Sequence, residues 1–280
     1  TGRQAARAAS MLRLRLQITS QPNATIERAK KSQQSQVSQP KTVQLRVFRA
    51  NPAQRIRATY ESFEVPFEPG MTVLSALLHA KEQIDHSMAI RFSCRMACCG
   101  SCGMKINAIP RLACYTQVTE LASGPITVAP LDHYPLIRDL VVDFDGFFEK
   151  HRSIEPFLIR QDVLQQESSE SEYAQSSEEL EDYLQFSYCI KCGLCNAACP
   201  TAAADPLFIG PQALGQTYRY IADSRDEGAA TRIKTVDSDH GIWRCHFAGA
   251  CSFVCPKGVD PALAIQRLRR LIVAPSSRKG

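Results

Sequence analysis

Regular alternation of apolar and polar positions begins at Thr42. Val43, Leu45 and Val47 alternate with Gln44 and Arg46, the period of a half-buried strand. Residues 57–67 predict a second strand, ended by a turn at Glu68-Pro69-Gly70. Thr72 is then placed to cap a helix whose Leu74, Leu77, Leu78 and Lys81 stem share one face, with Ile84 closing it. Ile90-Arg91-Phe92, a cysteine-rich loop, short strands near 104–106 and 111–115, and an alternating Ile126/Val128 pair follow. Two strands, a helix and further short strands predict a small mixed α+β domain over residues 43–145. Residues 146–280 read differently. Positions 165–182 hold seven acids and no base, the composition of an exposed connector or a charged helix surface. Segments 211–220 and 261–273 have helical spacing, and each opens on proline, which the first helical turn tolerates. The second domain is predicted to be all α.

Charge refines this division. The formal charge is +5, but residues 1–42 carry eight basic residues against the single acid Glu27. That stretch therefore holds +7, and the remainder −2. A chain that grips nucleic acid shows its positive charge on the folded part, so a nucleic-acid partner is disfavoured. The basic, acid-poor leader fits an organelle-targeting segment, a flexible tail or an extension that packs on a partner; a start at Thr1 also fits loss of an initiator methionine. No run of about 18 apolar residues occurs, so no membrane-spanning helix is expected.

The chemistry lies in twelve cysteines gathered into three groups. Clustering at these spacings, in a chain with ample apolar content for a core, argues for metal chemistry over disulfides. The first group offers Cys94, Cys99 and Cys102 in a C-x4-C-x2-C spacing with Cys114 beyond, the plant-type pattern for a [2Fe–2S] cluster. Gly100 and Gly103 let that loop bend around a cluster. Cys98 is left over and reads as a small buried hydrophobe; a zinc site from the same four thiols is the alternative.

The second group, Cys189, Cys192, Cys195 and Cys199 followed by Pro200, has the bacterial ferredoxin spacing, in which the fourth cysteine serves the other cluster. The third group repeats the spacing at Cys245, Cys251, Cys255 and Pro256, with Ala248 where a cysteine is due. The crossing rule then assigns Cys189, Cys192, Cys195 and Cys255 to a [4Fe–4S] cluster. Cys199, Cys245 and Cys251 remain, three thiolates suited to a [3Fe–4S] cluster, with water or His246 as the competing fourth ligand. Three unlike clusters describe a fixed wire between two redox partners. No Gly-rich dinucleotide loop and no Ser/His/Asp arrangement assigns catalysis to the chain itself. His79, His86, His133, His151 and His240 read as surface or structural.

With these residues in view, the chain resembles the iron–sulfur subunit of succinate dehydrogenase and fumarate reductase (respiratory complex II). The segments SCRMACCGSCGM, PLIRDLVVD, CIKCGLCNAACP, DPLFIGP and CSFVCPKGVDPALAIQ carry the resemblance. It implies an N-terminal β-grasp [2Fe–2S] ferredoxin domain, a C-terminal helical ferredoxin domain, and the same cysteine ligands. It also implies a flavoprotein partner bearing FAD, where the dicarboxylate chemistry occurs, and a cytochrome b-type membrane anchor with its quinone. Quinone-side positions are implied at His246, Gln266 and Arg269. The implied location is peripheral, on the cytoplasmic face of the plasma membrane or the matrix face of the mitochondrial inner membrane. The alternative function is an iron–sulfur subunit of a quinone-independent, thiol- or disulfide-linked reductase.

Overall fold

A computed structural model describes residues 42–274. Strand β1 (Thr42–Asn51) pairs antiparallel with β2 (Ile56–Pro66), setting Val43 opposite Val65 and Leu45 opposite Phe63. The alternating residues of β1 are buried on one face, as period 2 requires. Helix α1 (Val73–Gln83) follows, capped by Thr72 and Ser75 in a reciprocal capping box. Its Val73, Leu74 and Leu77 are buried against the sheet. Ile84, expected on that face, is instead 52% exposed at the C-cap, because the chain leaves helical geometry there. The Lys81 ammonium turns to the Met88 carbonyl at 2.5 Å.

Strands β3 (Gly103–Ile106), β4 (Ile109–Leu112) and β5 (Ile126–Ala129) complete a five-stranded sheet in the order β2-β1-β5-β3-β4. β5 lies parallel to β1 and antiparallel to β3, so a mixed sheet grips one helix, the β-grasp arrangement. β4 ends before the predicted 111–115 stretch does, since Cys114 and Tyr115 belong to a turn. A short hairpin, β6 (Leu136–Arg138) and β7 (Val141–Val142), closes this half.

Beyond Val142 the described residues form helices and turns only. These are α2 (Asp145–Arg152), α3 (Val163–Glu167), α4 (Ser177–Glu181), α5 (Leu184–Ser187), α6 (Leu194–Ala197), α7 (Pro200–Ala204), α8 (Pro211–Ala222), α9 (Ala229–Val236), α10 (Ala250–Phe253) and α11 (Pro261–Val273). The acidic 165–182 stretch is exposed along most of its length and includes α4, capped by Ser176 and Glu179.

Two clusters of buried apolar side chains organise the molecule. One joins the sheet and α1; the other joins α8 and α11 with Phe186, Phe208 and Ile242. Leu194 and Ala197 of the helical half pack into the first cluster. At the second, Arg232 is fully buried. It pairs with Asp226 at 2.5 Å and donates to the carbonyls of Ile154, Glu155 and Phe157. That guanidinium binds the irregular chain after α2 to α9. The basic leader, apart from Thr42, lies outside the described residues.

Candidate metal centres

All twelve cysteines are free thiols. Among the described residues, no three Cys, His, Asp or Glu side chains are gathered around one metal ion. The thiols are grouped around one loop and two cavities.

The first loop, between α1 and β3, aims backbone N–H groups at its sulfurs. Cys94 Sγ accepts from the amides of Cys98 and Cys99, both at 3.3 Å, and of Met96 at 3.4 Å. Cys114 Sγ accepts from Ala97 at 3.3 Å, and Cys102 Sγ from Cys114 at 3.5 Å. Arg95 and Ala97, with φ of 57° and 58°, fold the backbone inward to do this. Hydrogen bonds from Ser101 lower the Cys99 thiol to about 6, while burial pushes Cys102 up to about 12. Such a cradle favours sulfur that carries negative charge. Cys98, expected to be buried, is exposed with its Sγ 3.4 Å from the Met96 carbonyl. The turn buries Ala97 and directs the next side chain outward.

In the helical half, Cys189, Cys192, Cys195 and Cys255 line one cavity. Cys199, Cys245 and Cys251 line a second, together with Ala248. Cys199, two residues beyond α6, is thus separated from its own run and placed with the downstream group. Burial pushes Cys192 up to about 12 and Cys251 up to about 11, and it raises Cys189 and Cys195 as well. Buried thiols of this kind are ionised by binding cations, which releases protons, so these donors suit iron.

The two runs share one backbone. Lys191 and Phe247 have φ of 54° and 57°, and Gly193 and Gly249 have φ of 78° and 73°. Each glycine starts a four-residue helix, α6 or α10. The first helical hydrogen bonds also match, Asn196 to Gly193 and Ser252 to Gly249, both 3.1 Å. Ala248 therefore stands in the second run where Cys192 stands in the first.

The first loop touches the second run directly. Gly100, at φ +74°, comes so close to Cys192 that a Cβ on it would lie 2.7 Å from the Cys192 Cβ. Only glycine fits both the left-handed backbone and that approach. Tyr134, next to the β6–β7 hairpin, donates to the Gly193 carbonyl at 2.9 Å, and its burial raises its pKa. Side chains from the β half thus hold the Cys189–Cys195 turn in place.

Of the three expected quinone-side residues, His246 is exposed beside Cys245. Gln266 sits on α11 next to Ile265, which lines the second cavity, and its buried Nε2 has no hydrogen-bond partner. Arg269 spends its donors on the carbonyls of Cys245, at 2.6 Å, and Ile242, at 2.9 Å, with its guanidinium over Trp243. Near the first cavity stand Gln212, which escaped the sequence reading, and His151, which was read there as surface or structural. Gln212 and His151 are buried polar side chains facing each other beside Cys189. Nothing in their spacing marks them; the closest signal is Gln212 at the second position of a Pro-opened helix.

Residues 44–149 match the family described as "2Fe-2S iron-sulfur cluster binding domain", and residues 185–259 the "4Fe-4S dicluster domain". The chain is 44% identical to the fumarate reductase iron–sulfur subunit of Mycobacterium tuberculosis, over 80% of this chain and 90% of that one. It is 38% identical to the mitochondrial succinate dehydrogenase [ubiquinone] iron–sulfur subunit 2 of Oryza sativa, over 83% of this chain and 76% of that one. In fold it is similar to a chain of the Mycobacterium smegmatis Sdh1 complex, with a TM-score of 0.74 at 24% identity, over 85% of this chain and 98% of that one.

Proposed function

Because the chain belongs to the family of fumarate reductase and succinate dehydrogenase iron–sulfur subunits, electron-transfer proteins of an oxidoreductase complex, we propose that it passes single electrons between a flavoprotein partner and a membrane quinone. The ligands in this reading are Cys94, Cys99, Cys102 and Cys114 for [2Fe–2S], Cys189, Cys192, Cys195 and Cys255 for [4Fe–4S], and Cys199, Cys245 and Cys251 for [3Fe–4S]. The observation that carries it is the regrouping of the thiols: two four-cysteine spacings, one with a gap, become a four-thiol cavity and a three-thiol cavity.

The clusters supply one-electron redox chemistry when bound, and the chain's own residues bind, orient and insulate. The N–H groups of residues 96–99 hold sulfur charge at the first loop. Gly100 lets the first loop meet Cys192, and tunnelling contact depends on such proximity. Ala248 withholds a fourth thiolate from the second cavity. Fewer thiolates leave less negative charge at that site, which favours a higher potential there.

Exposed apolar groups lie at both ends of this path. Met96 and Tyr115 flank the first loop, while Trp243, Phe247 and Phe253 flank the Cys245 run. We assign the first end to the flavoprotein and its FAD, and the second to a cytochrome b-type anchor. Gln266 Nε2, a buried donor without an acceptor, supports a quinone oxygen near α11; His246 stands at the same end, and Arg269 braces the Cys245 loop between them. Among the described residues no helix is long and apolar enough to cross a membrane, so the proposed location is peripheral, through the anchor.

Cys199→Ser tests the crossing. It is expected to abolish the three-iron signal of the anaerobically purified protein while leaving the four-iron cluster loaded. Loss of the four-iron cluster with the three-iron signal intact would overturn the ligand map.

A further inference from the structure

The wall of the four-thiol cavity carries two glutamines of α8, and they behave differently. Gln216 Nε2 donates to the Phe186 carbonyl at 2.8 Å, an ordinary internal bond. Gln212, 4% exposed, has no backbone partner for its amide. Its Nε2 lies 3.2 Å from His151 Nδ1 and 4.0 Å from Cys189 Sγ, and its Oε1 is buried with no partner. Both polar contacts of the side chain are therefore made by the nitrogen, which has two hydrogens to give. His151, 6% exposed on α2, can accept one of them only as a neutral imidazole with Nδ1 unprotonated. Its burial favours that neutral form and lowers its pKa to about 4. The same Gln212 nitrogen has Cys189 Sγ as its other polar neighbour, at the long end of an N–H···S contact.

Resting on the cluster assignment above, we infer that Gln212 is a potential-tuning residue of the [4Fe–4S] site, held in its donor orientation toward the Cys189 sulfur by His151. The physical reason is the change of charge on reduction. One electron enters with no bond made or broken and no proton taken up, so the cluster and its thiolates become one unit more negative. A hydrogen bond to a ligand sulfur stabilises the more negative state more, and the potential rises. Low polarity around the cavity strengthens the effect. With His151 in the tautomer that leaves Nδ1 bare on one side, and cluster sulfur on the other, an Oε1-inward amide would face repulsion twice. His151 thus selects the orientation without touching the cluster.

The test uses the full chain, purified anaerobically with its clusters, and the variants Gln212→Leu and His151→Leu. The midpoint of the four-iron signal is followed by EPR-monitored titration, with the [2Fe–2S] midpoint of the same sample as the internal control. Exchangeable protons near the reduced cluster are followed by ENDOR in H2O and D2O. Gln212→Leu is expected to lower the reduced-to-oxidised ratio at the wild-type midpoint about threefold to tenfold, tenfold being about 59 mV for one electron. It also removes one exchangeable coupling and leaves the [2Fe–2S] midpoint unchanged. His151→Leu shifts the four-iron midpoint the same way by less. An unchanged midpoint and coupling in Gln212→Leu overturn the inference. If that variant does not load the cluster, an unchanged midpoint in His151→Leu does so. A wild-type chain without a four-iron signal contradicts the cluster assignment itself, a separate result.

Discussion

Single atoms decide the most at Gly100. Its φ of +74° would strain any L side chain by about 1–2 kcal/mol. A methyl group there would meet Cys192 at 2.7 Å, on a side chain whose own position is set by the cavity. Gly100→Ala is thus expected to destabilise the protein by about 1–3 kcal/mol through overpacking and to push the first loop away from the second run. The check is stopped-flow reduction of the four-iron centre through the [2Fe–2S] centre. Slower transfer with both clusters loaded is expected, and an unchanged rate would mean that the contact is not on the electron path. Residue-level chemistry was only partly legible in the sequence. The proposed ligand cysteines announce themselves because thiolate spacing is dictated by the cluster they would hold. Cys98 was misjudged because the burial of one residue in a tight loop depends on φ values such as that of Ala97. Gln212 and His151 come together from α8 and α2, some sixty residues apart, and no local pattern reports such a meeting.

At the scale of elements, the strands and long helices follow from periodicity. β1, α1 and α11 appear where alternation, a Thr cap and a proline start put them. The short helices α6 and α10 do not come from periodicity at all. They arise from glycine at φ of 78° and 73° within a cysteine turn, so their equivalence was visible only as spacing. Arg232 is the element-scale surprise, a charge with no exposed surface in the middle of a half read only as helical. It ties α9 to the 154–157 carbonyls and to Asp226. Arg232→Met would leave Asp226 buried and uncompensated, a loss of about 3–5 kcal/mol. The expected result is a fall of roughly 10 °C in apparent Tm by scanning calorimetry, with faster amide exchange at 154–160. A fall of only a degree or two would show that the pair is replaceable.

At the scale of the whole molecule, the β half and the helical half meet through the cluster loops themselves. Gly100 rests on Cys192, Tyr134 holds the Gly193 carbonyl, and Leu194 fills the first core. This joins the two ferredoxin modules where electron passage requires closeness. The fold class and the family were legible in the sequence because the cysteine runs encode both. The direct contact between modules was not, since it rests on surfaces that only the assembled structure brings together.

The central claim is that three unlike clusters share eleven cysteines, with the vacancy at Ala248 making one of them three-iron. EPR-monitored redox titration of the anaerobically purified chain, compared with Ala248→Cys, tests it most directly. Three separately titrating centres are expected in the wild type. In the variant the three-iron signal is expected to be replaced by a second four-iron signal of lower potential. Only two centres, stoichiometric zinc, or a three-iron signal that survives the substitution would contradict that claim.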